Sequence, residues 1–160
     1  MATETKFEDG KLIVTRQFAA PRELVFEAWI ETSKVKQWWG CAECTSVRSE
    51  IEPKVGGAYN HHMMIEGVPD EVPGFATLTE YDPPKRLAYS SASPAGPDAP
   101  PMTVTVEFAA VDGGTQVRLT HAGIPDMKVP GDVELRTIVQ GGWTAAFGKL
   151  DTFMTAEAAS

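Results

Sequence analysis

Cys41 and Cys44 stand in the stretch KQWWGCAEC, and three histidines, His61, His62 and His121, follow them along the chain. The Cys-x-x-Cys spacing suits a redox pair or half of a zinc site. A redox pair wants a helix N-terminus behind its first cysteine to lower the thiol pKa. Instead TSVRSEIE follows and reads as a strand, with Glu43 adding negative charge. A zinc site needs further ligands. Neighbours on a strand point to opposite faces, so His61 and His62 cannot both face one inward metal, which leaves Cys41, Cys44 and His121 as the candidate set. That set falls short of a structural zinc site, so the pair is read as two small structural thiols, with no metal and no cofactor expected.

The remaining groups suited to proton transfer are His61, His121 and Tyr89. A histidine on an apolar face is more often a hydrogen-bonded core residue than a catalyst, so each has a structural reading beside the functional one. Patterns that would commit the chain to a reaction are absent. There is no nucleophile elbow, no phosphate-cradling glycine loop, no dinucleotide fingerprint and no His-Glu-x-x-His; VGGAY and QGGW have the wrong spacing for any of these.

These residues need a frame. KLIVTRQFAA, Lys11 to Ala20, is rich in β-branched and apolar residues and reads as the first strand, after an exposed polar start. Pro21 then opens a helix with Glu23 in its first turn and Leu24, Val25, Ala28 and Trp29 at helical spacing. Thr32 and Ser33 break it and cap a second short helix, KVKQWW, which Gly40 ends. Strands follow at Thr45 to Glu52, Ala58 to Ile65, Phe75 to Tyr81, Arg86 to Ser91, Met102 to Ala109 and Thr115 to His121. The last two alternate cleanly: Met102, Val104, Val106 and Phe108 share a face, as do Val117, Leu119 and His121, and an Asp-Gly-Gly turn joins the two strands. From about Asp132 a long amphipathic helix runs through Leu135, Ile138, Val139, Trp143, Phe147, Leu150 and Met154. Gly141 and Gly142 inside it each cost about 1 kcal/mol relative to alanine, which close packing or a kink would have to offset.

The order is strand, two short helices, six strands, long helix. A curved antiparallel sheet with one wet face needs a cover, and the C-terminal helix supplies the apolar stripe for it, while the first strand pairs with the last. The turns near Pro53 to Gly57, Asp82 to Lys85 and Val111 to Gly114 fall at one end of such a sheet and are short. The connections Glu66 to Gly74, Ala92 to Pro101 and Ala122 to Gly131 fall at the other end and are longer and proline-rich. The Cys41 segment and His121 belong to this second end, where the mouth of a cavity is expected.

Composition narrows the partners. The chain has 160 residues, 42% of them hydrophobic, which fits one domain over 1–160 with a core from about 11 to 155. A formal charge of -8 and no Lys/Arg-rich run make nucleic acid and anionic membranes poor partners. No stretch approaches the roughly 20 apolar residues of a membrane span, and MATETKFEDGK carries no signal-type apolar run, so a cytoplasmic protein is expected.

The ordered stretches RQFAAPRELVFEAWIETSKVKQWWG, EPKVGGAY, YDPPKRLAYS, VTVEFAAVDGGTQVRLTHAGI and GGWTAAFGKLDTF resemble the SRPBCC (START-like, helix-grip) superfamily. More specifically, they are similar to its branch of activator of heat-shock protein ATPase homologues, over about residues 12 to 154. The resemblance implies an α+β helix-grip fold: a curved antiparallel sheet of about seven strands around a long C-terminal helix, with a cavity for a hydrophobic or amphipathic small molecule. One departure is that Cys41 stands where the family commonly has proline after the double tryptophan and glycine. Cavity candidates on the elements that should surround it are Trp29, Trp39, Trp143 and Phe147 from the helices. From the strands come His61, Met63, Phe75, Tyr89, Met102 and His121, with the inward face of the Ala58 strand left open. Binding of a hydrophobic small molecule is the favoured function. The alternatives are a cyclase- or hydratase-type enzyme and a co-chaperone-like module with a chaperone partner, and a homodimer stays open.

Overall fold

The computed structural model describes residues 2–159. Strands β1 (Glu4–Glu8) and β2 (Lys11–Phe18) precede helices α1 (Arg22–Ile30) and α2 (Thr32–Val35). The chain continues through β3 (Cys44–Ile51), β4 (Tyr59–Ile65), β5 (Thr77–Asp82), β6 (Arg86–Ser91), β7 (Met102–Val111) and β8 (Gly114–Ala122). Two short strands, β9 (Lys128–Val129) and β10 (Val133–Glu134), lead into α3 (Leu135–Ala159). Among the described residues, no helix is long and apolar enough to cross a membrane. The fold is α+β with a large antiparallel sheet, short helices and a long C-terminal helix, as the helix-grip reading requires.

The main sheet has six strands in the order β1-β2-β8-β7-β6-β5. As expected, the strand at Lys11 pairs with the last one, from Leu12 opposite His121 to Phe18 opposite Thr115. It is not the edge, however. The polar start folds as β1, joined to β2 by an Asp9-Gly10 turn in which both residues have positive φ, 52° and 76°. That is the geometry of a tight two-residue hairpin, and Glu4, Lys6 and Glu8 hid it by making the strand look solvated.

Strands β3 and β4 form their own ladder, so the sheet is not the single seven-stranded surface expected. Main-chain bonds still join β4 to the segment entering β5: Tyr59 N–H to Ala76 O at 2.9 Å, His61 N–H to Gly74 O at 2.8 Å and Met63 N–H to Val72 O at 2.9 Å. Gly74 permits this approach, since a Cβ there would lie 2.4 Å from the His61 carbonyl oxygen. The second helix is also shorter than expected and shifted, ending at Val35, with Trp38 and Trp39 in turns hydrogen-bonded back to the Val35 carbonyl. At the other end β10 takes Val133 and Glu134, so the long helix begins at Leu135.

The core lies between sheet and α3. Val104, Val106 and Phe108 of β7 and Val117, Leu119 and His121 of β8 are buried, on the faces the alternation marked. From α3, Trp143, Ala146, Phe147, Leu150 and Met154 meet them, spaced three and four apart. Phe147 packs against Phe18 at 5.9 Å and Trp29 at 6.2 Å between ring centroids. Each such large side chain removed from water contributes about 1.5–3 kcal/mol.

Helix α3 runs unbroken through Gly141 and Gly142. No side chain crowds them: a Cβ on either would meet nothing within 4 Å. Close packing therefore does not explain the pair.

Candidate functional site

The segment after α2 is held from three sides. Trp38 is buried and its indole N–H donates to the Ala28 carbonyl at 2.9 Å. Gly40, at φ 98°, turns the chain back so closely that a Cβ would lie 2.8 Å from Cys44 Sγ and 3.1 Å from Met63 Sδ. Lys149 Nζ of α3 donates to the carbonyls of Trp39 at 3.2 Å and Cys41 at 3.1 Å. The segment is thus tied to both β4 and α3.

Strand β4 turns Tyr59, His61 and Met63 toward the helices. The Tyr59 hydroxyl donates to the Trp29 carbonyl at 2.8 Å, and His61 stacks on Trp39 with ring centroids 3.8 Å apart. Trp39 meets Trp143 of α3 edge to face at 5.5 Å. Beside this pair opens a cleft of about 270 Å³. Trp39, Gly40 and Cys41 form one wall, Met63 and Ile65 of β4 a second, and Ile138, Val139, Gly142, Trp143 and Ala146 of α3 the third. The cleft lies where Ile65 leads into the 66–74 connection, at the loop-rich end of the sheet. Other hollows are larger but of different chemistry. One of about 580 Å³ is lined by Glu52, Asn60, Thr77, Ser90 and Ser91 among others, and one of about 450 Å³ lies beside Arg22 and Glu23. The cleft at Trp39, by contrast, is walled almost wholly by apolar side chains.

The candidate residues divide into groups. Trp39, Met63 and Trp143 line the cleft. His61 and His121 stand one ring behind it, His61 against Trp39 and His121 bonded to Trp143, whose indole N–H donates to His121 Nδ1 at 3.0 Å. Trp29, Tyr89 and Phe147 are buried in the core. Phe75 does not join them: it is 65% exposed and sits edge-on to His62 beside the larger polar hollow. Met102 is half-buried at the start of β7, paired with Ser91 and away from the cleft walls. Sequence reading missed Ile65, Ile138, Val139, Gly40, Gly142 and Ala146. Gly142 had left a signal, as a glycine with an unexplained cost inside an apolar helical stripe.

Burial governs the electrostatics. Desolvation pushes His61 down to about 3, with His62 adding a smaller push in the same direction, and desolvation pushes His121 down to about 4. Both imidazoles are neutral at pH 7. Since the indole can only donate, His121 carries its proton on Nε2, which is buried with no protein partner. Trp29 Nε1 and His61 Nε2 are buried and unpartnered as well. On its other nitrogen His61 meets the Ser49 hydroxyl at 2.8 Å. Burial also raises Tyr89 above its ordinary range.

Cys41 and Cys44 are free thiols. Burial raises the Cys44 pKa, partly countered by the charge of Lys149, and its Sγ donates weakly to the Ser46 carbonyl at 3.4 Å. No helix N-terminus follows, because β3 starts at Cys44. Among the described residues, no group of three or more His, Cys, Asp and Glu side chains is placed to hold a metal ion.

The family model described as Activator of Hsp90 ATPase homolog 1-like protein matches residues 19–155. No curated protein matches the chain. Solved structures do. A protein from Nitrosomonas europaea is 21% identical, with 94% of this chain and 97% of that one covered at a TM-score of 0.76. One from Chromobacterium violaceum is 20% identical, with 92% and 98% covered at 0.77. One from Staphylococcus epidermidis is 23% identical, with 98% and 95% covered at 0.71. At these identities the likeness shows a shared fold.

Proposed function

The chain belongs to the Activator of Hsp90 ATPase homolog 1-like family, and from that premise we propose that it binds an apolar or amphipathic small molecule in the cleft beside Trp39 and Trp143. The observation that carries this reading is Gly142. It faces the cleft in mid-helix, weakens the helix, and has nothing packed where a side chain would stand. Space for a ligand accounts for all three facts. The binding domain is taken as the whole chain and its location as the cytoplasm.

The enzyme alternative has less support. A general acid or base works best with a pKa near the working pH, and His61 at about 3 and His121 at about 4 lie well below it. Tyr89 is shifted the wrong way for the same task. A co-chaperone-like role with a chaperone partner is compatible with the family, but it gives no account of the cleft.

The test is titration with N-phenylnaphthylamine, an uncharged dye that fluoresces in apolar sites. Binding in the micromolar range by the native protein, weakened at least tenfold by Gly142→Leu, supports the reading. Equal binding by both proteins, or none by either, rejects it. Circular dichroism confirms that the variant keeps its helix.

A further inference from the structure

Three sulfur side chains border one corner of the cleft. Cys41 and Met63 are both among its walls. The Cys44 N–H donates to the Cys41 carbonyl at 3.1 Å, which closes a four-residue turn and holds the two Cα atoms within about 7 Å of each other. A register shift in the β3–β4 ladder then sets Cys44 opposite Ile65, on the face of β4 that also carries Met63. Gly40 completes the corner. The place that a Cβ would take on it lies 2.8 Å from Cys44 Sγ and 3.1 Å from Met63 Sδ, so the bare glycine lets both sulfurs close on one spot. Both cysteines are free thiols and only half-buried, so the corner can be reached from solvent.

We propose that Cys41, Cys44 and Met63 bind a soft monovalent cation, copper(I), through two thiolates and one thioether. The donor set selects the ion. Zinc takes thiolate, imidazole and carboxylate ligands, and among the described residues no His, Asp or Glu joins the two cysteines in a group that could hold it. An iron–sulfur cluster needs more cysteines, and magnesium and calcium need oxygen. Thiolate and thioether sulfur together suit copper(I), a closed-shell ion that accepts so small a set. On binding, the two thiol protons leave to solvent and the bis-thiolate complex carries one net negative charge. Lys149 offsets that charge. Its ammonium is tied to the Cys41 carbonyl at 3.1 Å, and its field favours the Cys44 thiolate. The apolar walls at Trp39 and Ile65 keep water off the ion, which favours the lower oxidation state. The site is independent of whether the cleft also takes an organic ligand.

The test is anaerobic titration of the fully reduced protein against the violet copper(I) complex of bicinchoninate. The native protein is expected to draw one copper(I) per chain from the complex and bleach it. Cys41→Ser and Cys44→Ser each remove a thiolate and should leave the colour unchanged, while Met63→Leu keeps the bulk of the side chain and should weaken binding by about tenfold. Circular dichroism confirms that each variant is folded. No bleaching by the native protein overturns the proposal, and so does bleaching by either serine variant, or by Met63→Leu, equal to that of the native protein. If a variant does not fold, X-ray absorption of the native copper complex decides: a shell of three sulfurs supports the proposal, and two sulfurs alone or any nitrogen or oxygen ligand rejects it.

Discussion

The indole of Trp143 on α3 donates to Nδ1 of His121 on β8 across 3.0 Å, and the bond is buried. It joins the long helix to the sheet inside the core and fixes the protonation of the imidazole. The ring is held neutral there, since burial pushes its pKa down to about 4. His61, behind Trp39, is held neutral in the same way at about 3.

That pair makes stability depend on pH in a definite direction. Both pKa values are lower folded than the ordinary 6.5, so the unfolded chain takes up protons that the folded one refuses. The contribution is unaffected above about pH 6.5 and turns into a growing loss below it, each histidine removing about 1.4 kcal/mol per pH unit at most. Urea midpoints measured between pH 7 and 5 should fall, and His121→Gln should show about half the slope. An identical slope in the variant would contradict this assignment.

Gly142→Ala should stabilise. The added Cβ meets nothing within 4 Å, and the helix gains about 0.5–1 kcal/mol from the better former. Gly114→Ala should do the reverse, because its Cβ would lie 1.9 Å from the Phe18 carbonyl oxygen at a φ of 156°. Denaturation midpoints of the two variants check both signs.

Lys149 bridges α3 to the carbonyls of Trp39 and Cys41. Replacing it with methionine keeps the aliphatic stem and removes both charge-assisted bonds, for a loss of about 1.5–3 kcal/mol. The loosened segment should also expose its thiols. Labelling of Cys41 and Cys44 by a disulfide reagent at pH 8 is expected to speed up several-fold in Lys149→Met, and an unchanged rate would show that the lysine is not what holds the segment.

Two phenylalanines of equal size should behave oppositely. Phe147 is fully buried among Phe18, Trp29 and Trp143, and Phe147→Ala should cost about 3–5 kcal/mol. Phe75 is 65% exposed, and Phe75→Ala should stay within about 0.5 kcal/mol of the native protein. Thermal melts of the two separate core from surface directly.

Much of the frame was legible because its signals are local. The alternation of Val104, Val106 and Phe108 and of Val117 and Leu119, the proline opening α1 and the three-four spacing in α3 each reflect one element packing on one core. Strand β1 was not legible, since an edge strand with Glu4, Lys6 and Glu8 has no buried face to mark it. The Asp9-Gly10 turn was its one available sign.

The site was half legible. Trp39, Met63 and Trp143 follow from which elements surround a helix-gripping sheet. Which side of β4 faces inward depends on tertiary register, and both His61 and His62 end up buried, one under Trp39 and the other beside Glu50 and Phe75. Phe75 was misplaced because the residues before β5 bond to β4 through main-chain groups and through the Asn60 and His62 side chains, while the Phe75 side chain itself stays outside. Of the small residues that open the cleft, Gly142 left only the sign of its cost inside an apolar helix, and Gly40 and Ala146 carry no pattern that marks a wall.

The most direct measurement of the central claim is an amide and indole NMR titration of the isotope-labelled protein with N-phenylnaphthylamine. The account predicts that the shifted signals cluster on Trp39, Gly40, Cys41, Met63, Gly142 and Trp143. Shifts gathered instead around Phe75, Ser90 and Ser91, or no shifts at saturating dye, would contradict it.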